Sequence, residues 1–169
     1  MKTVTRTSIQ QNLRTLDVLY TTTTAPQKSM FYAKLAILEL CGWIEETMDR
    51  IVSSCAGRTL REQTNRKTVE DNTIRRTHGF EYNEHFRRML IQVIGLRGVE
   101  RMERRADATR LQALKSTLGA LKPRRDVEAH THLIAATRTI DAPSATLKNF
   151  QRVYDGLCEI DRVLRKSGF

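Results

Sequence analysis

Apolar residues recur along this chain at intervals of three and four, and no stretch of convincing length alternates at two. Such spacing lines side chains along one face of an α-helix, which takes 3.6 residues per turn. The clearest stripe is Ile37, Cys41, Ile44, Met48, Ile51 and Cys55. It predicts a long helix over residues 27–54, with Glu45, Glu46, Asp49 and Arg50 beside or opposite the apolar face. Ahead of it, Ile9, Leu13, Leu16 and Leu19 (or Tyr20) predict a short amphipathic helix over residues 8–20. A threonine run over residues 21–24, then Ala25 and Pro26, ends that helix, because β-branched residues and proline disfavour continuation.

Between residues 57 and 79 the apolar pattern thins to Leu60, Val69 and Ile74 among charges. Arg58, Arg61, Arg66, Lys67, Arg75 and Arg76 stand there against Glu62, Glu70 and Asp71. The expectation is a long loop with at most an exposed helical turn, a solvated connector before it is an RNA-binding arm. A third helix is expected over residues 83–105, with Phe86, Leu90, Val93 (or Ile94), Val99 and Met102 inward. Its polar side pairs Glu100 with Arg104 and stacks Arg97, Arg101 and Arg105 into a basic ridge. Leu111, Leu114, Leu118 and Leu121 mark a fourth helix, with Asp107 as N-cap and Gly119 near its end. Pro123 reads as a fresh start for a helix over residues 124–140, which Asp141-Ala142-Pro143-Ser144 breaks. A last helix over residues 144–166 turns Leu147, Phe150, Tyr154, Leu157, Val163 and Leu164 inward. The pattern predicts an all-α protein, an up-and-down helical bundle with a four-helix core and short additional helices.

Composition agrees with this and adds a partner class. A chain of 169 residues suits a single domain over residues 1–169. Its core is expected over about 28–166, with residues 1–27 as a short helix and linker. Gly 8, Pro 3 and 6% aromatics favour helices over a sandwich or barrel. The net charge of +10 points to a polyanionic partner, because lysines and arginines displace counterions from phosphate backbones. Cys41, Cys55 and Cys158 are too few and too widely spaced for a disulfide framework or a zinc motif, so they read as small core residues. The first six residues lack the apolar run of a signal peptide. Residues 35–44 and 89–96 are too short to span a bilayer, so no membrane partner and a cytoplasmic location are expected.

Chemistry concentrates in Arg125-Asp126-Val127-Glu128-Ala129-His130. Arginine can hold a phosphate, and histidine can move protons. On a regular helix a step of five residues turns roughly 140° and rises about 7.5 Å, so Arg125 and His130 do not lie side by side. Asp126 and His130, four apart, do, and the carboxylate is the expected partner that orients the imidazole. Near a helix start, Arg125 would share its pocket with free backbone N–H groups and the positive end of the helix dipole. Lys122 and Arg124 extend the positive run as RNA-binding candidates. Taken by itself, that run is also what an ordinary solvated face looks like, and an Asp126–His130 pair on a surface contributes little stability.

The segment R-D-V-E-A-H resembles the R-N/D-x-x-x-H motif of the HEPN superfamily, helical proteins many of which are metal-independent ribonucleases. Arg125 and His130 match its fixed positions, Asp126 stands where the family often has Asn, and Ala129 precedes the histidine as in many members. Residues 31–46, F-Y-A-K-L-A-I-L-E-L-C-G-W-I-E-E, are similar to the long first core helix of a prokaryotic branch of HEPN-like nucleases. The likeness covers roughly residues 28–166. It implies RNA cleavage without metal or other cofactor: the ribose 2′-OH attacks the adjacent phosphate and leaves a 2′,3′-cyclic phosphate. His130 would assist proton transfer and Arg125 would stabilise phosphoryl charge. It further implies a homodimer through the motif helix. A toxin or defence role would bring an antitoxin or regulatory protein as a further partner. The alternative is a catalytically silent HEPN-like module that binds RNA or a protein.

The remaining histidines and acids read as ordinary. His132 lies two residues past His130, so on a helix it faces elsewhere, and no metal site is expected. His78 and His85 are expected at the surface. Glu45 and Glu46 diverge by about 100° on a helix. Polar-face roles are expected for both, with a salt bridge from one to Arg125 as the other reading. Trp43 is expected to be a partly buried packing residue.

Overall fold

The computed structural model describes residues 3–131 and 139–169, which fold as an all-α helical bundle without a strand. The helices are α1 (Thr7–Thr22), α2 (Pro26–Thr59), α3 (Gln63–Val69), α4 (Arg87–Arg105), α5 (Ala108–His130) and α6 (Pro143–Lys166). Two π-helical turns, Glu70–Ile74 and Tyr82–Phe86, lie between α3 and α4. No helix among the described residues is long and apolar enough to cross a membrane.

The α2 stripe forms the centre of the bundle. Ile37, Cys41, Ile44, Met48, Ile51 and Cys55 are all buried, as the spacing predicts. They share one core with Phe150, Val153, Leu157, Ile160 and Leu164 of α6. Phe150 meets Trp43 edge-on at 5.2 Å between ring centroids, and the Trp43 indole N–H donates to the Thr5 carbonyl at 3.1 Å. Truncating so large a buried ring to alanine typically costs about 3–5 kcal/mol. Gly156 sets the approach of α5 to α6, because a Cβ there would lie 2.6 Å from the Leu114 Cβ. Pro26 opens α2 in the first turn, where the N–H has no acceptor within the helix and its absence breaks no helical hydrogen bond.

Several boundaries move. Helix α1 is part of the core, with Ile9, Leu13 and Leu16 buried, so the segment expected as an appendage helps enclose α2 and α6. It extends to Thr22 because the Thr21 and Thr22 hydroxyls donate back to the Asp17 and Val18 carbonyls. The expected loop over residues 57–79 is largely helical. Helix α2 runs on to Thr59, α3 is exposed, and Thr73 and Ile74 of the first π-helical turn are buried, with Thr73 donating to the Gln92 side chain at 2.5 Å.

Helix α4 is not one straight rod. Gly95 adopts φ 69 and ψ 166, a left-handed φ that glycine tolerates without strain. Arg87 and Glu103 would stand about 24 Å apart along a straight helix. They form an ion pair at 3.2 Å, so the chain folds back at Gly95 into two short helices, residues 87–94 and 96–105.

Helix α5 corrects the expected break at Pro123, because it runs unbroken from Ala108 to His130. Its start is as expected: Asp107 caps it by accepting from the Arg110 N–H at 2.8 Å. Proline inside a helix removes a donor and crowds the carbonyl four residues back. Here that residue is Gly119, and Gly119 and Pro123 are both exposed, so the carbonyl without a helical donor faces solvent. Of the helix expected over residues 124–140, the part over 132–138, with His132, lies outside the described residues.

Candidate functional site

The motif occupies the last turns of α5, so Arg125 does not sit at a helix start and has no free N–H groups or positive dipole end beside it. Its anchorage is tertiary. The Arg125 Nη2 donates to the Glu45 Oε1 at 3.1 Å, and Nη1 lies 3.2 Å from the Asp126 Oδ1. The guanidinium also stands over the ring of Phe80, 5.7 Å from its centroid. Phe80 is fully buried, so one face of the cation is fixed against the core. Of the adjacent acids, Glu45 takes the salt bridge to Arg125, while Glu46 is exposed and pairs with Arg50 along its own helix at 3.3 Å.

Asp126 turns to Lys122 and Arg125, not to His130. The Lys122 hydrogen bond holds its carboxyl below the usual range, and His130 contributes least among the causes. Lys122 and His130 are both four residues away on the same face, and the permanent ammonium wins over the imidazole in the last turn. His130 is exposed and ends the helix, with Thr131 already extended at φ -115 and ψ 138. Lys34 of α2 donates to the Thr131 carbonyl and so pins the end of α5 beside the histidine. Arg124 pairs with Asp141 just ahead of α6. The sequence candidates are therefore on one stretch of helix, but Arg125 is half-buried and held, while His130 is open.

The α2 face opposite Arg125 carries Cys41, Glu45 and Asp49 at successive turns. Burial pushes the Cys41 thiol up to about 12 despite the pull of Arg125, so it remains a thiol and is no nucleophile at neutral pH. Asp49 is pushed up to about 6, first by burial and then by the charges of Glu45, Glu70 and Glu46, with His78 opposing. His78 is exposed, as expected. His85 is not a surface residue: it is half-buried, and its ring packs on Gly79 so closely that a Cβ there would lie 2.7 Å away.

Phe80, Lys34 and Asp49 were not marked as site residues by the sequence. The i, i+4 spacing of Cys41, Glu45 and Asp49 was a usable signal, since it predicts one acidic line on α2. Nothing local to Phe80 or Lys34 indicates that either reaches the motif. Apolar surface adjoins the open end. Phe31, on the α2 turn that carries Lys34, and Val127, one turn before Thr131, are 48% and 46% exposed, whereas the exposed Leu35 lies in the groove toward α1 with Leu16 and Glu39. Set against known families, curated proteins and solved structures, the chain shows no significant match to any of them.

Proposed function

We propose that this chain is a metal-independent endoribonuclease of the HEPN type, working as a homodimer through the end of α5. The observation that carries the reading is the contrast within the motif. Arg125 is immobilised by Glu45 and Phe80, and His130, five residues on, is solvent-exposed at the end of the same helix. A rigid cation suits a phosphoryl group whose charge grows in the transition state, and an accessible imidazole suits proton transfer. In the proposed reaction the ribose 2′-oxygen bonds to phosphorus and gives up its proton. The bond from phosphorus to the 5′-oxygen breaks, and that oxygen takes a proton. The products are a 2′,3′-cyclic phosphate and a 5′-hydroxyl. His130 moves the proton and Arg125 binds the non-bridging oxygens.

Because Arg125 and His130 point about 140° apart on one helix, a second copy is needed to line a single cleft with both groups. The exposed Val127 near that end, with Phe31 on the α2 turn that carries Lys34, supplies apolar surface for such a pairing. Asp126 then keeps Lys122 and Arg125 in place, in a role distinct from orienting the histidine.

One observation favours the silent RNA-binding module instead: two carboxylates, Glu45 and Asp126, already contact the Arg125 guanidinium and oppose an incoming phosphate. Incubation of the pure protein with RNA decides between them. The nuclease reading expects 2′,3′-cyclic phosphate ends, insensitivity to EDTA, and loss of cleavage in His130→Ala with RNA binding retained. Salt-sensitive binding without those ends would establish the silent module.

A further inference from the structure

A second basic feature lies outside the motif, on the returning half of α4. Arg97, Arg101, Arg104 and Arg105 fall within an arc of about 100° on that short helix, and all four are exposed. Val99 and Met102 face the other way and are buried. None of the four arginines has a carboxylate partner among the described residues; Arg105 reaches only the neutral Ser167 hydroxyl, at 3.2 Å. Arg50, Arg75, Arg88, Arg124 and Arg165 do have one, whereas among the described residues Arg14 on α1 and Arg152 on α6 do not.

Of the two acids in this segment, Glu103 is turned away from the ridge, while the exposed Glu100 lies about 40° round the helix from Arg104 and forms no ion pair with it among the described residues. Glu103 accepts from the Tyr82 hydroxyl at 2.9 Å and pairs with Arg87 at 3.2 Å and Lys115 at 3.7 Å. It ties the α4 hairpin to α5 and leaves the ridge unneutralised, with Glu100 only at its margin. An ordinary solvated helix face mixes both signs. This one sets four arginines against the single carboxylate of Glu100, and the arginines at i, i+4 repel one another.

We propose that this ridge binds the phosphate backbone of single-stranded RNA. Arg97, Arg101 and Arg105 rise about 6 Å per step, comparable to the separation of phosphates along an extended strand. Each guanidinium can grip a phosphate with two parallel N–H donors. The ridge is one narrow line of charge about 12 Å long, which fits a few nucleotides of one strand. It is separate from the motif, because α5 starts just after Arg105 and rises about 33 Å before reaching His130. The ridge would hold a strand at a distance from the cleft and raise its local concentration there. The inference rests on RNA as the partner, but not on its cleavage.

The test uses a labelled single-stranded RNA made uncleavable by 2′-O-methylation, titrated against the full chain over a range of salt. Arg97→Gln, Arg101→Gln, Arg104→Gln and Arg105→Gln combined should weaken binding about tenfold or more near 0.1 M salt. The slope of log affinity on log salt should fall by about 0.7 per lost contact. A control replaces the exposed, unpaired Arg14, Lys28, Lys148 and Arg152 with glutamine and so removes the same charge elsewhere. Equal weakening in both variants, an unchanged ridge variant, tighter competition by duplex RNA, or no binding by the parent protein would each overturn the proposal. RNA binding by the parent that the ridge variant loses, without cleavage of ordinary RNA, would leave the ridge standing and end the nuclease reading.

Discussion

Both ends of α5 are tied to a neighbouring helix through a carboxylate, under opposite electrostatic conditions. At the start, Glu159 of α6 is 4% exposed and accepts the Asp107 N–H at 3.0 Å. It also accepts from the Arg162 Nε at 2.9 Å and Nη2 at 2.5 Å, with Arg110 at 3.9 Å. Donors surround one carboxyl, and Arg162 above all holds it down to about 2. At the far end Arg125 meets Glu45 and Asp126, while burial and the crowding of Glu45, Glu70 and Glu46 push Asp49 up to about 6. A saturated carboxylate is architecture. An end where carboxylates outnumber the held guanidinium keeps charges together at a cost, and such places are where function concentrates.

The sharpest way to break this contrast is to compare the two ends by activity. Under the proposed function, Arg125→Ala should slow RNA cleavage by about 10²–10³-fold, the usual loss when one transition-state donor is removed. Glu159→Ala should leave the rate per folded molecule unchanged. Equal slowing in both variants would show that α5 transmits its whole geometry to the site and that the distinction is false.

Next in size is stability. Removing Glu159 should cost about 2 kcal/mol in urea unfolding, the scale of hydrogen bonds lost from a charged group, because the arginines left behind are solvent-exposed. Glu45→Ala should cost less than about 1 kcal/mol, because its pair is partly open to solvent. Since the folded Glu159 carboxyl lies below its ordinary value of 4.5, its contribution is present above that pH. It is lost as pH falls from 4.5 toward 2, and a Glu159→Gln protein should lack that acid step.

The smallest effect has the opposite sign. The Asp49 carboxyl is raised, so the folded chain binds its proton more tightly than the unfolded chain, and stability falls as pH rises from about 4 to about 6. Asp49→Asn should therefore gain about 1 kcal/mol at pH 7 after allowance for solvent screening, and nothing at pH 4. An equal gain at both values would assign the effect to packing.

Much of the scaffold is legible locally. The α2 stripe and the Asp107 cap depend on residues within a turn or two of one another, and helical periodicity reports them directly. Pro123 misled because its local rule is real, but Leu114, Leu118 and Leu121 commit the preceding turns to the core and the exposed Gly119 accommodates the ring. Gly95 was silent for the converse reason: an isolated glycine in an apolar run does not announce a reversal, which its own dihedrals and the Arg87–Glu103 pair disclose. At the site, the six motif residues stand out by spacing, whereas the Arg125 partner lies 80 positions earlier. Pairings across that separation follow from how α2 packs on α5, and no local pattern encodes them.

The reversal at Gly95 also bears on how order is distributed in time. Isolated helices shorter than about 12 residues are marginal in water, so neither half of the α4 hairpin would hold its shape alone. Residues 96–105 owe their order to Val99 and Met102 in the core and to the bonds that converge on Glu103. Backbone amides near the exposed Leu96 should exchange with solvent well before those around Met102. A ligand that bridges several of the arginines would slow exchange along the whole returning half at once, so its occupancy could be followed through the main chain.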